Sequence, residues 1–159
     1  MKKLVIAVSI IIFALSQATI LNHISFFNVK PDLLLISVIM AGLFFPAGWA
    51  ISFSMLSGVL KDITCVNTFG LYTVLFFCYS LLIIKLSRQI SFDNDYVKLA
   101  LVVIVVLLND IAIRLTFLFL GNPVSPGIFL RILFIDSLYT AVVFPLVLKL
   151  ARNFSLINE

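Results

Sequence analysis

Residues 33–60 read LLLISVIMAGLFFPAGWAISFSMLSGVL, with no Lys, Arg, Asp or Glu among them. In a bilayer no water pairs with exposed backbone, so a run of this kind has to be helical there. As one helix it would extend about 42 Å at about 1.5 Å per residue. The hydrocarbon core is only about 30 Å thick. Pro46 falls near the middle of the run, between Gly42 and Gly48. Proline removes a backbone donor and glycine loosens a helix. The run is therefore expected to break into two short helices, 32–45 and 47–61, joined by a tight turn.

Composition places this run in a membrane. Of 159 residues, 63% are apolar and 11% charged, against about half and about a quarter in soluble domains. The mean hydropathy is +1.25. A soluble fold of one domain could not bury so much apolar surface, and a disordered chain would not carry it. Two cysteines, Cys65 and Cys78, cannot make a disulfide scaffold, and their spacing marks them as lone thiols. The net charge is +4, but the basic residues stand singly at the ends of apolar runs, as topology signals do. No basic patch interleaved with aromatics suggests nucleic acid as a partner. Met1-Lys2-Lys3 and the apolar run to Leu21 read as a retained helix, too long for a signal-peptide core.

The other uncharged stretches are 4–29, 63–84, 99–109 (continuing past Asp110 and Arg114 to 130) and 137–148. The distribution of basic residues decides between five and six spans. With the break at Pro46, Lys2, Lys3, Lys85, Arg88, Lys98, Lys149 and Arg152 share one side, and Lys30, Lys61 and Arg131 the other. Seven against three is the asymmetry expected of a cytoplasmic and an outer face. Without the break, every charge after residue 60 changes sides. The expectation is an all-α integral membrane protein forming a single transmembrane domain over 1–159. Its six helices fall near 4–21, 32–45, 47–61, 69–87, 97–120 and 128–150, with short loops and both termini cytoplasmic.

Polar residues inside such spans are costly and so informative. Ala47, Ala50, Ser54, Ser57 and Gly58 form a stripe at spacings of three and four. Small residues let helices approach closely in lipid, so this face is expected to pack on another helix, of this chain or of a partner. Ala14 and Ala18 carry a weaker form of the pattern. Lys61 reads as an interfacial side chain reaching toward water. Asp62 closes a helix that should be buried. Asn109, Asp110 and Arg114 lie midway along a span. Asp110 and Arg114, four apart, share a face and can pair, or else line a polar cavity or docking point. Arg131 and Asp136 start the last helix, each placed to meet another helix, with Asp62 and Arg131 one candidate pair. Pro145 is expected to kink that helix.

The chemistry of catalysis is missing. His23 is the only histidine and stands in a loop without a partner to orient it. No metal-ligand cluster, nucleophile elbow or phosphate loop is present, and no cofactor motif. An enzyme is not expected.

The order of short motifs resembles a known family. Pro31-Asp32-Leu33-Leu34-Leu35 opens a helix, and Phe45-Pro46-Ala47-Gly48 makes a turn. Gly58-Val59-Leu60-Lys61-Asp62 closes the small-residue helix, and Phe69-Gly70-Leu71-Tyr72 opens the next. Together with Pro145-Leu146, the length and the absence of a soluble domain, this resembles the bacterial rod shape-determining protein MreD. The turn departs from the family, which often has basic residues there. The resemblance implies a non-enzymatic inner-membrane scaffold of the cell-wall elongation complex, contributing to lateral peptidoglycan synthesis. It implies an MreC-like single-span partner with a large outer domain. The MreB cytoskeleton and the elongation polymerase and transpeptidase belong to the same machinery. The family's fold is similar to the six-helix substrate-binding subunits of energy-coupling factor vitamin transporters, which supplies an alternative function. The outer loops here are short for such a subunit, which generally uses a long loop as a lid.

Overall fold

The computed structural model describes residues 32–64, 70–89, 94–121 and 125–153. The expected helix at 4–21, His23, Cys65 and the tip of the last loop lie outside the described residues. Five helices are described: α1 (Leu33–Phe44), α2 (Ala47–Thr64), α3 (Leu71–Ser87), α4 (Asp95–Phe119) and α5 (Pro126–Asn153). No strand occurs among the described residues.

Asp32 begins α1 by accepting a hydrogen bond from the Leu35 N–H at 3.1 Å, which satisfies one of the free donors of a helix start. Every residue from Leu34 to Ile39 is buried, so α1 is apolar all round and enclosed on all sides. The break follows from Pro46. Phe45 takes an extended backbone, φ −119° and ψ 154°, as a residue before proline prefers. The Pro46 carbonyl then accepts the N–H groups of Trp49 and Ala50 at 2.9 and 3.0 Å, starting α2 at once. Two separate helices result, with α1 only 12 residues long.

The small-residue stripe of α2 faces inward. Ala50, Ser54, Ser57 and Gly58 are buried, and Ala47 is half-buried at the turn. Ser57 meets Ser37 of α1, hydroxyl to hydroxyl, at 3.2 Å. Ser54 bonds back to the Ala50 carbonyl at 2.7 Å, so neither hydroxyl of the stripe is stranded. A Cβ placed on Gly58 would stand 2.5 Å from the Thr73 Cα and 3.0 Å from the Tyr72 carbonyl oxygen. Glycine is therefore what lets α2 touch the backbone of α3. At the other end of α1, Gly42 admits Ile83 of α3, whose Cγ2 would lie 2.8 Å from an added Cβ.

Helices α1, α2 and α3 thus form one tightly packed unit, while α4 and α5 pack on each other as a hairpin. The hairpin meets the unit chiefly through α1. Tyr79, Phe76 and Ile83 of α3, Val102, Val105 and Val106 of α4, and Phe144 of α5 close the core around α1. Both α4 and α5 are long and apolar enough to cross a membrane; α1 and α3 are shorter apolar helices. Outward faces are apolar too, with Leu108, Ile111, Phe134, Leu138 and Val142 exposed. Helix α2 runs three residues past its expected end at 61, to Thr64, and α5 continues through Pro145 to Asn153.

Candidate functional site

The polar residues of the interior gather where α1 and α3 begin and α2 ends. Gly70 precedes α3 with φ +90° and offers no side chain to cap it. The cap comes from another helix. Asp62, in the last turn of α2, accepts the Tyr72 N–H through Oδ1 at 3.0 Å. Its Oδ2 accepts the Thr73 N–H at 3.0 Å and the Thr73 hydroxyl at 2.5 Å. A carboxylate at a helix N-terminus also meets the positive end of the helix dipole. Gly58 and Asp62 lie one turn apart on the same face. The first brings the α3 backbone into contact, and the second fastens its free N–H groups. Asp62 is 3% exposed, so its charge is held by these donors.

Lys61 departs from its expected place at the interface. It is buried and forms an ion pair with the Asp32 carboxylate. Its ammonium also lies 4.5 Å from the Tyr72 ring centre and 5.4 Å from that of Phe76, a cation–π arrangement. The reason is length: four methylenes carry the ammonium along α2 to the start of α1, where Asp32 is already a cap. Lys61 and Asp62, neighbours in sequence, thus serve different helices. One ties α2 to α1 and the other ties α2 to α3.

Asp110 and Asp136 lie close to this ion pair, near enough for the charges of Asp32 and Lys61 to act on both. The carboxyl groups of Asp110 and Asp136 are electrostatic neighbours across α4 and α5. The Thr140 hydroxyl donates to Asp136 Oδ1 at 3.2 Å. Tyr79 of α3 is also a neighbour of Asp110. Asp110 Oδ2 and Asn109 Oδ1 are buried and receive no hydrogen bond.

Of the pairings open from spacing, Asp110 with Arg114 is not formed. The Arg114 guanidinium stacks 4.1 Å from the centre of the Phe129 ring of α5. Sharing a helix face permits a pair, but the packed hairpin puts an aromatic ring at the level of Arg114 and a second carboxyl at that of Asp110. Asp62 and Arg131 do not pair either; Asp62 is occupied by α3, and Arg131 is exposed on α5. Asp32, Lys61, Thr73, Phe129 and Thr140 were missed as site residues. Asp32 and Lys61 left a signal, since a charge bordering an apolar run needs a partner once buried. Nothing local marked the other three. No group of metal-ligating side chains occurs among the described residues, and Cys78 is an exposed free thiol.

The described residues form an all-helical protein of membrane character, in which buried Asp62 caps one helix and Lys61 pairs with Asp32 at the start of another. The family model for the rod shape-determining protein MreD matches residues 1–154, nearly the whole chain. The chain belongs to that family, a family of membrane proteins that determine cell shape. No curated protein matches the chain, and no solved structure does.

Proposed function

We propose that the chain is a non-enzymatic membrane scaffold of the bacterial cell-wall elongation complex, contributing to rod shape and lateral peptidoglycan synthesis. It acts by binding an MreC-like single-span protein, with the MreB cytoskeleton and the wall polymerase and transpeptidase engaged directly or through that partner. The family match over residues 1–154 is the observation that carries this reading. The inward placement of Asp62, which fastens the start of α3, supports it, because this charge serves packing between helices. The proposed setting is the cytoplasmic membrane, crossed six times with both termini inside. The grouping of seven basic residues against three supports that orientation.

Crosslinking in native membranes, followed by purification and mass spectrometry, tests the proposal. The expected result is recovery of a single-span protein with a large outer domain, together with wall-synthesis enzymes. Recovery of an ATPase pair and its membrane coupler would overturn it and make the chain a transporter's substrate-binding subunit.

A further inference from the structure

Phe45-Pro46-Ala47-Gly48-Trp49 joins α1 to α2, and the nearest charged residues along the chain are Asp32 before it and Lys61 after it. Pro46, Gly48 and Trp49 are exposed, Trp49 by 41%. A turn that faces water ordinarily carries polar side chains; this one presents an indole. The ring is braced from within, 5.9 Å from the Phe53 ring, which meets Phe45 edge-on at 6.0 Å. Two charged levels bracket the turn. On one side the Asp32–Lys61 pair ties the far ends of α1 and α2 together. From that level α1 extends about 18 Å over its 12 residues, and α2 about 21 Å between Lys61 and Ala47. The hydrocarbon core is about 30 Å thick, so neither helix has length to spare for lifting the turn clear of lipid. On the other side Lys98, in the first turn of α4, sets its ammonium 5.6 Å from the centre of the Phe44 ring at the end of α1. The same ammonium pairs with Asp95 Oδ1 at 3.1 Å, and the Asp95 side chain is 52% exposed. The turn is therefore level with the charged start of α4, where a chain passes from hydrocarbon to headgroups. Indole suits that boundary, being apolar in its ring and polar at its N–H.

We propose that the α1–α2 turn is a lipid-binding surface, with Trp49 set among the phospholipids of the leaflet opposite the Asp32–Lys61 pair, at the boundary of acyl chains and headgroups. Phospholipid is favoured over a water-soluble partner because the turn has no charge to recognise one and its helices are too short to present it in water. The turn then fixes the height of the α1–α2 hairpin in the bilayer. This rests on the membrane setting proposed above and not on the role in wall elongation.

Trp49 is the only tryptophan of the chain, so the unaltered protein reports on its own turn. The purified full chain is reconstituted without a partner in vesicles of phosphatidylethanolamine and phosphatidylglycerol. Its fluorescence is then quenched by lipids brominated at chosen depths along the acyl chain, or by iodide supplied on both sides of the membrane. The expected result is a blue-shifted emission and quenching strongest from bromines near the headgroup end. Iodide should quench several-fold less than it quenches free tryptophan. Emission of a water-exposed indole, with iodide quenching close to that of free tryptophan, would overturn the proposal and leave the turn open to a soluble partner. Quenching strongest from the methyl end of the acyl chains would overturn it by placing the turn in the core. Quenching by neither agent would overturn it by showing a ring covered by protein. Val142, 60% exposed on α5, supplies the control as Val142→Trp in a Trp49→Phe chain. Lipid quenching there, with none at Trp49, defeats the turn proposal alone. Lipid quenching at neither position defeats the membrane setting itself.

Discussion

Replacing Gly58 by alanine adds one methyl group at the tightest glycine contact among the described residues. That methyl would lie 2.5 Å from the Thr73 Cα and 3.0 Å from both the Thr73 nitrogen and the Tyr72 carbonyl oxygen. All three are backbone atoms, so no side chain can turn aside. Restoring ordinary contact needs α3 to retreat from α2 by roughly an ångström. Asp62 holds the start of α3 with two bonds of 3.0 Å and one of 2.5 Å, and such a retreat stretches all of them. Overpacking costs about 1–3 kcal/mol. A weakened hydrogen bond to a charged group adds up to about 1.5–3 kcal/mol. The expected loss is therefore about 3–5 kcal/mol, a large part of a typical domain's stability. Gly48→Ala is the control, since nothing lies within 4 Å of a Cβ there and alanine favours a helix by about 1 kcal/mol. Thermal melting in detergent, followed by the loss of monodisperse protein, is the assay. Gly58→Ala should melt far below the wild type, and Gly48→Ala at or slightly above it. Equal melting of the two variants would falsify the close backbone crossing and the cap built on it.

Asp62→Ala removes the only acceptor that α3 has for the Tyr72 and Thr73 N–H groups among those described. It should cost about 2–4 kcal/mol and open the α2–α3 connection to protease in the detergent-solubilised protein, and unchanged cleavage would contradict the cap. Lys61→Met should cost about 3–5 kcal/mol by breaking a buried ion pair with Asp32. Adding Asp32→Asn, which keeps an acceptor for the Leu35 N–H, should recover most of that loss, and a double-mutant cycle with no coupling would speak against the pair. Arg114→Ala should cost about 0.5–2 kcal/mol through its stacking on Phe129, with lysine a poor replacement. Combined with Asp110→Asn its effect should be additive, because the two side chains have different partners; strong coupling would mean that they pair after all.

The sequence by itself determined the class and the local breaks. Composition excludes a soluble fold, and the length of run 33–60 together with Pro46 separates α1 from α2, because proline acts on its own backbone and its neighbour's. The stripe from Ala47 to Gly58 showed which face of α2 would be close-packed, since helical spacing decides which side chains share a face. It did not show that Gly58 meets the α3 backbone itself. The partners of the charged residues were decided only by tertiary structure. Spacing pointed Asp110 toward Arg114 and left Lys61 at the interface. Packing gave Lys61 to Asp32, 29 positions away, and placed Asp136 at Asp110 and Phe129 at Arg114. The physical reason is that a helix period ranks neighbours along one helix. Which charges meet across helices depends on how far each helix is shifted and turned against the next, and that is settled by the close fit of residues such as Gly58, Gly42 and Ser57.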